Sequence, residues 1–163
     1  PMPYTELQTM LDGGFPSGLQ VHWRSEFLPS LTDDFIDTAV AAFEQVPSAL
    51  SALLLEHFGG AVRRVPRDDT AFDQRDSDYN FIIVSRWGDP AEAERNVTWA
   101  RATANAAKPF TNGRVYGNYI GAGEAPDRVR AAFRAEKVAR LAAIKSTYDP
   151  RNVFRMNQNI PPG

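Results

Sequence analysis

The sequence predicts an α+β fold, an antiparallel β-sheet covered by α-helices. Residues 20–28 alternate between apolar and polar side chains, as in a strand with one buried face. Residues 79–87 are apolar on both faces, which favours a central strand. Long helical patterns follow these strands, and a short glycine connection between two apolar runs favours antiparallel pairing. A chain of 163 residues is large enough to fold as one domain.

The first half of the chain continues with a helix and a predicted hairpin. Thr32 is a suitable N-cap before two aspartates, and apolar residues with helical spacing continue as far as Pro47. Residues 51–58 and 61–65 are predicted to be two strands joined by a tight glycine turn. The segment 66–78 is charged and poor in apolar residues, so it is predicted to be an exposed loop.

The second half of the chain contains two predicted helices around one more strand. Asp89 is a suitable N-cap followed by proline, so a helix is predicted from there toward Ala107. Residues 114–121 are predicted to form a strand. An amphipathic pattern from Glu124 to about Ser146 predicts one long helix.

Composition argues against several classes of protein and site. The absence of cysteine removes disulfides, thiol nucleophiles and thiolate metal ligands. A formal net charge of -2 with interleaved acids and arginines argues against nucleic acid or an anionic membrane as partner. No apolar run reaches the ~20 residues that span a bilayer. The first residues lack a basic region before an apolar stretch, so we expect a cytoplasmic protein.

Neither a metal site nor a phosphate-binding loop is predicted. His22 and His57 are the only histidines, and they lie on separate predicted strands. The glycines of residues 117–123 have neither dinucleotide-binding nor P-loop spacing. We therefore expect strand and turn roles for these residues.

Glu56 is the first candidate for proton transfer. On its predicted strand it shares a face with Leu54 and Phe58, and such apolar neighbours would raise the pKa of its carboxyl group. Its histidine neighbour points to the opposite face, so the two cannot form an acid-base pair. The alternative is a structural ion pair with Arg63 or Arg64 across the predicted hairpin.

Tyr119 is the second candidate. On the predicted strand it lies opposite to Tyr116 and Asn118, and glycines two residues away on either side leave space around its ring. A tyrosine acts as a general base only when its pKa falls well below about 10. The alternative is a core tyrosine with a satisfied hydroxyl group.

The last residues, 148–163, form the most distinctive segment. Asp149 and Pro150 punctuate the preceding helix, and Val153 and Phe154 are predicted to anchor the tail to the body. Three consecutive amides then offer directed donors and acceptors beside two prolines. The alternative is a docked tail that only caps the core.

Five segments together resemble the berberine-bridge-enzyme-like flavin oxidases, in that family's order and over nearly the whole chain. The tail and the Asn-Tyr segment are the most specific in combination. The resemblance implies that residues 1–147 form a substrate-type α+β domain and that 148–163 pack on it or on a flavin domain. The matching segments are LEHFGG at 55–60, YNF at 79–81, VYGNY at 115–119, RVRAAF at 128–133 and the tail from 148.

The resemblance also implies roles in substrate oxidation. Tyr119 matches the tyrosine that takes a proton from a substrate hydroxyl while hydride passes to the flavin. Glu56 is expected beside the substrate. Ile82 occupies a position near the substrate where several relatives carry glutamine or glutamate, which argues against carboxylate-assisted chemistry of the berberine-bridge type.

The same resemblance implies four contacts to a flavin. Tyr116 and Asn118 match positions near the isoalloxazine, and Asn157 and Asn159 match tail amides near it. That family binds FAD mainly through an N-terminal domain, which this sequence does not contain. We therefore expect the chain alone to bind no flavin and to be inactive.

Two principal hypotheses of function follow. The first is the C-terminal portion of an FAD-dependent oxidase or dehydrogenase for an alcohol or sugar, present as a fragment or as one chain of a split enzyme, with the missing FAD domain as its partner. The second is a stand-alone, cofactor-free module that binds a small molecule or a protein, whose exposed apolar face would favour a homodimer. A cofactor-free enzyme that uses Tyr119 or Glu56 is a weaker third possibility.

Overall fold

The computed structural model describes residues 1–10, 12–121 and 126–163, and these residues form an α+β fold. Short 3-10 turns occupy Asp12–Gly14, Pro90–Glu92, Lys108–Phe110 and Gly117–Tyr119. The strands are β1 (Gln20–Leu28), β2 (Ala52–His57) and β3 (Tyr79–Trp87), and the helices are α1 (Tyr4–Thr9), α2 (Asp33–Glu44), α3 (Ala61–Arg64), α4 (Ala93–Ala107), α5 (Pro126–Ala131) and α6 (Ala135–Tyr148).

The three strands form one antiparallel sheet in the order β1-β3-β2. The predicted central strand is confirmed, because β3 pairs along its whole length with β1, from Leu28 opposite Tyr79 to Gln20 opposite Trp87. On its other side β3 pairs with β2, where Glu56 faces Asn80. The predicted α+β class is therefore confirmed.

Helices α2 and α4 cover one face of the sheet. Phe81 of β3 packs edge-on against Phe35 of α2, with ring centroids 5.1 Å apart. The indole N–H of Trp99 in α4 donates to the carbonyl oxygen of Ala42 in α2 at 2.8 Å, which ties the two helices together. This arrangement buries the main core, which comprises Leu28, Phe35, Phe81, Ile83, Trp99, Ala100, Ala104 and Ala107.

The opposite face of the sheet, termed here the aromatic face, is lined by alternate residues of all three strands. Because side chains alternate across a strand, the registers place these residues together. They are Trp23, Ser25 and Phe27 of β1, Asn80, Ile82 and Val84 of β3, and Ala52, Leu54 and Glu56 of β2.

Both predicted N-caps are present. The side chain of Thr32 accepts a hydrogen bond from the backbone N–H of Phe35, and that of Asp89 accepts one from Ala91. A cap of this kind stabilises a helix by about 1 kcal/mol. The helix after Asp89 begins with a 3-10 turn and continues as α4 to Ala107, close to its predicted end.

The predicted second strand of the hairpin, 61–65, is wrong. Residues Ala61–Arg64 form the short helix α3, which begins after Gly60 with a φ of 64°. Tertiary contacts hold this turn: Arg63 pairs with Asp78, and Arg75 donates to the carbonyl oxygen of Val62 at 2.7 Å. The strand preference of residues 61–65 is weak, so these tertiary contacts determine the local conformation.

The segment 66–78 is not the simple exposed loop that its charge predicts. Asp73 within it is 1% exposed and lies near the cationic groups of Arg114, Arg134 and Lys137, at 3.5 to 3.9 Å. The Nζ of Lys137 also donates to the carbonyl oxygen of Thr70 at 2.7 Å and to that of Phe72 at 3.1 Å. The segment is thus fastened to α6 through buried charges.

The predicted strand 114–121 and the single helix from Glu124 are also wrong in form. Arg114 accepts from the backbone N–H of Phe27 on β1 at 3.2 Å, but the chain then turns at Gly117–Tyr119. The helical pattern is divided between α5 and α6, and the break is held where Asp73 accepts the backbone N–H of Arg134 at 2.6 Å. The predicted start at Glu124 lies outside the described residues.

Candidate functional site

A hydrogen-bonded chain of three side chains lies on the aromatic face. The hydroxyl group of Tyr119 donates to Oε1 of Glu56 at 2.8 Å. The amide of Asn80 donates to Oε2 of the same carboxylate at 3.0 Å. The two candidates found separately in the sequence are therefore direct partners. The alternative ion pair of Glu56 with Arg63 is not formed, because Arg63 binds Asp78, and Glu56 forms none with Arg64 within the described part of the chain.

Stacked aromatic rings position the Tyr119 phenol. Its ring stacks on Trp23 with centroids 5.4 Å apart and an interplanar angle of 9°, and Phe15 stacks on the same indole at 5.8 Å. Tyr116 meets the Tyr119 ring edge-on at 5.4 Å. Such pairs add about 0.5–1.5 kcal/mol each beyond area burial. The ring is therefore held at one place over the sheet.

The turn Gly117–Tyr119 brings Tyr119 over the aromatic face. The backbone N–H of Tyr119 donates to the carbonyl oxygen of Tyr116 at 2.9 Å, as a 3-10 turn requires. Strand alternation predicted Tyr116 and Tyr119 on opposite faces, and this is wrong because the two rings are in contact. The prediction assumed that side chains alternate as in a strand, but residues Gly117–Tyr119 form a 3-10 turn, in which they do not.

The surroundings of Tyr119 favour its neutral form. Burial, followed by the hydrogen bond to the Glu56 carboxylate and the negative charge there, raises the pKa of the phenol above its ordinary value. This direction is opposite to the shift that a phenolate base requires. A neutral Tyr119 instead has a carboxylate ready to receive its proton.

Ile82 lies within the floor of the aromatic face and is only 1% exposed. It stands between Ser25 on β1 and Leu54 on β2. The apolar side chain at this position does not leave the site without a carboxylate, since Glu56 projects from the neighbouring strand on the same face. The sequence alone did not show that Glu56 on β2 and Ile82 on β3 share one face, so it did not predict that β2 supplies the carboxylate.

The predicted flavin contacts lie beside the Tyr119 turn and in the tail. Asn118 and Asn157 are exposed, Asn159 is half-buried, and none of the three amide side chains forms a hydrogen bond within residues 1–10, 12–121 and 126–163. Tyr116 is half-buried against Tyr119 and Phe27. The asparagine amides therefore keep their donors and acceptors available.

Gln158 connects the two motifs and was missed in the sequence. Its amide donates to the carbonyl oxygen of Ile120 at 2.7 Å, which fastens the tail to the Tyr119 turn. The only sequence signal was the run of three amides at 157–159, within which Asn157 has a φ of 59° and Gln158 makes the contact to Ile120.

The predicted apolar anchors of the tail are wrong. Val153 and Phe154 are 61% and 80% exposed. Their backbone N–H groups bind the carboxylate of Asp149 at 2.8 and 3.0 Å, and Asp149 also pairs with Lys145 at 2.6 Å. Polar contacts therefore hold the tail, while a tail surface made of Tyr148, Val153, Phe154 and Met156 is left exposed.

Among the described residues, no group of three or more histidine, cysteine or acidic side chains could hold a metal ion. Over the same part of the chain, no helix is both long and apolar enough to cross a membrane.

Known proteins similar to this chain are flavoproteins. The family model for berberine and berberine-like proteins matches residues 115–161, which include Tyr119 and the tail amides. An FAD-linked oxidoreductase of Dictyostelium discoideum is 28% identical over 163 residues, which are 99% of this chain and 35% of the relative.

Two solved structures have the same fold as this chain over most of its length. Berberine-bridge-like protein 1 of Physcomitrella patens superposes with a TM-score of 0.76 at 25% identity, over 87% of this chain and 30% of its own. A chitooligosaccharide oxidase superposes with a TM-score of 0.70 at 25% identity, over 88% of this chain and 33% of its own.

The family model covers the Tyr119 turn and most of the tail, and the two superpositions cover most of the fold. The chain belongs to the berberine-bridge-enzyme-like group of FAD-linked oxidoreductases. It spans about a third of the length of the curated relatives that it matches. The resemblance expected from the sequence is confirmed.

Proposed function

We propose that this chain is the C-terminal portion of an FAD-dependent oxidase or dehydrogenase that oxidises a hydroxyl group of an alcohol or sugar. The observation that carries the proposal is the 2.8 Å hydrogen bond between Tyr119 and Glu56 on a sheet face walled by aromatic rings. Residues 1–147 form the substrate-type part, and residues 148–163 face the flavin domain.

Proton transfer follows from this geometry. The substrate hydroxyl gives its proton to the Tyr119 oxygen while Tyr119 passes its own proton to Oε1 of Glu56. Asn80 holds the other carboxylate oxygen and fixes the direction of transfer. Tyr119 is neutral before and after the step, so its raised pKa is compatible with the reaction. When bound, FAD accepts the hydride that leaves the carbinol carbon.

The residues present fit one side of a flavin. Asn118, Asn157 and Asn159 offer amide donors and acceptors of the kind that the carbonyl and N–H groups of an isoalloxazine require, and Asn118 and Asn157 are exposed. Gln158 keeps the tail amides beside the Tyr119 turn. Orientation of the ring is thus the contribution of this chain, and most of the binding comes from the FAD domain outside it.

A sugar is the substrate class that best suits the aromatic face. Phe15, Trp23 and Tyr119 form a stack of aromatic rings on this face, with the Arg86 guanidinium over Phe15, and aromatic linings of this kind are typical of small-molecule sites. One similar structure is described as a chitooligosaccharide oxidase. The chain alone, without the FAD domain, is inactive under this proposal.

Replacement of Tyr119 tests the proposed role in the complete flavoprotein. Tyr119→Phe removes the group that accepts the substrate proton, so flavin reduction should slow by about two orders of magnitude or more. Stopped-flow absorbance near ~450 nm, where flavins absorb, measures this rate. Tyr4→Phe, at a position 74% exposed, is the matched control and should be unchanged. Near-normal reduction by the Tyr119 variant would exclude the role.

A cofactor-free binding module is the second candidate. The tail surface favours it, because Phe154 and Met156 are 80% and 84% exposed and such patches drive association. In this case the purified chain would form a homodimer without flavin. A stable complex of the chain with an FAD domain, yellow and active, would exclude this candidate.

A further inference from the structure

A cavity of about 500 Å³ lies at the β1 edge of the sheet, on the side opposite to the aromatic face. Arg24 and Glu26 of β1 line it. They alternate along the strand with Trp23, Ser25 and Phe27, which belong to the aromatic face. The sheet therefore separates this cavity, termed here the cationic cavity, from the candidate functional site.

Three cations and one acid line the cationic cavity. Arg24 comes from β1, Lys108 from the 3-10 turn after α4 and Arg128 from α5, and Glu26 is the acid. Each cation belongs to a different element, so the fold brings them together although they are far apart in the sequence. Three positive charges less one negative charge give these four side chains a formal charge of +2.

The Glu26 carboxylate pairs with Arg128. Nη1 of Arg128 donates to Oε1 of Glu26 at 2.9 Å, and its Nη2 donates to the carbonyl oxygen of Ser25 at 3.3 Å. Glu26 is only 3% exposed, so these contacts hold the Arg128 guanidinium firmly against β1. The pair explains how α5 packs on the strand. Charge for charge, however, it balances one of the three cations that line the cavity.

Lys108 is the exposed cation of the set. Within the described part of the chain, its ammonium group has no ion-pair partner. A lysine ammonium is a compact charge with three donors, whereas the arginine guanidinium is a planar fork that matches two oxygens at once. Both kinds of group bind phosphate, and together they suit an anion that offers several acceptor oxygens.

Apolar side chains complete the lining. Val115 is 2% exposed and forms a small buried cluster against which Ala131 packs, and both residues line the cavity. The volume lies in the range of about 300–1,000 Å³ that is usual for small-molecule pockets. The cavity thus has room for an anionic group together with an organic part.

We propose that the cationic cavity binds the phosphate group of a phosphorylated small molecule. A phosphate monoester carries about -1.5 to -2 charges at neutral pH and three strong acceptor oxygens, which complements the charge of the lining. A carboxylate has a single charge, and one guanidinium fork satisfies its two oxygens. Cations from three different elements therefore match a phosphate group better. The inference goes beyond the proposed function, because no residue of the Tyr119 relay takes part.

Calorimetric titration of the complete flavoprotein with inorganic phosphate tests the proposal. We expect a saturable heat beyond that of sodium chloride at the same ionic strength, which controls for screening. Acetate should bind about tenfold or more weakly, because it carries a single charge and fewer acceptor oxygens. Absence of a saturable heat up to ~10 mM phosphate, or equal binding of acetate, would overturn the proposal.

Two variants with opposite expected effects locate the binding. Lys108→Gln removes a cation, so phosphate should bind about tenfold or more weakly. Glu26→Gln removes the carboxylate that competes for Arg128, so phosphate should bind about threefold or more tightly. Arg101→Gln, at an exposed position of α4 outside the cavity, is the matched control and should bind phosphate normally.

The comparison of these variants distinguishes a built site from general attraction to a positive surface. Equal weakening by Lys108→Gln and Arg101→Gln would overturn the proposal, and so would weaker binding by a folded Glu26→Gln protein. Lys108 is exposed, so its replacement should leave the fold intact and the test does not depend on whether the Glu26 variant folds.

Discussion

The hydroxyl group of Tyr119 donates a hydrogen bond to Oε1 of Glu56, so the proton chemistry of the two side chains is coupled. Sequence reasoning treated Tyr119 as a base that needs a lowered pKa and treated Glu56 as an independent carboxylate. The structure joins them at 2.8 Å, and burial with the adjacent carboxylate raises the pKa of Tyr119. A relay from substrate through Tyr119 to Glu56 is consistent with that direction, and a phenolate base is not.

The titration of Tyr119 provides a test at this scale. Its folded-state pKa is raised, so its contribution to stability is present below the unfolded value of about 10 and is lost as pH rises through the folded value. Tyr119 should therefore lose its proton at higher pH than a free tyrosine, whose pKa is about 10. NMR of labelled tyrosine rings measures this titration. Glu56→Gln should lower the pKa of Tyr119, and an unchanged value would contradict the assigned cause.

At the scale of elements, buried charge connects segments that the sequence leaves separate. Asp73 lies among Arg114, Arg134 and Lys137, and it also caps the start of α6. The Asp73 carboxylate thus connects three parts of the chain. They are the segment 66–78, Arg114 before the Tyr119 turn, and the start of α6.

Removal of this carboxylate should destabilise the whole fold. Asp73→Ala leaves cations without their buried partner, and such losses typically cost about 3 kcal/mol or more of unfolding free energy. Denaturant unfolding followed by circular dichroism measures the change. Asp69→Ala, at an exposed position in the same segment, is the control and should change the free energy by less than about 0.5 kcal/mol. Similar losses for both variants would show that the Asp73 contacts are unimportant.

The tail turn depends on an ionised aspartate. The hydrogen bond from Lys145, supported by the backbone N–H groups of Val153 and Phe154, lowers the pKa of Asp149. The contribution of this turn is therefore present above the unfolded pKa and is lost as pH falls through the lower folded value. The amide resonances of Val153 and Phe154 should shift together in this acid range. A midpoint at or above the ordinary aspartate pKa would contradict the assignment.

The sequence predicted the elements whose signals are local and repeated. The alternation of β1, the apolar run of β3 and the caps at Thr32 and Asp89 are all present in the structure. Residues 61–65 were predicted as a strand because a tight glycine turn precedes them, and residues 114–121 were also predicted as a strand, but neither segment forms one. Contacts with residues distant in the sequence determine the conformation of these two segments. Local periodicity carries no information about such contacts.

At the scale of the whole molecule, the fold brings the two most specific motifs together. The Tyr119 turn closes over the aromatic face, and Gln158 of the tail binds the next residue, Ile120, at 2.7 Å. The sequence predicted the family from these motifs without showing that they touch. On the tail surface, Phe154 and Met156 are exposed.

The proton relay is tested most directly by a double-mutant cycle in the complete flavoprotein. The rate of flavin reduction is measured for Tyr119→Phe, Glu56→Gln and the double variant. If Tyr119 passes its proton to Glu56, the two residues act as a unit, so the double variant should be no more than about threefold slower than Tyr119→Phe alone. Losses that multiply in the double variant would show independent roles and contradict the relay.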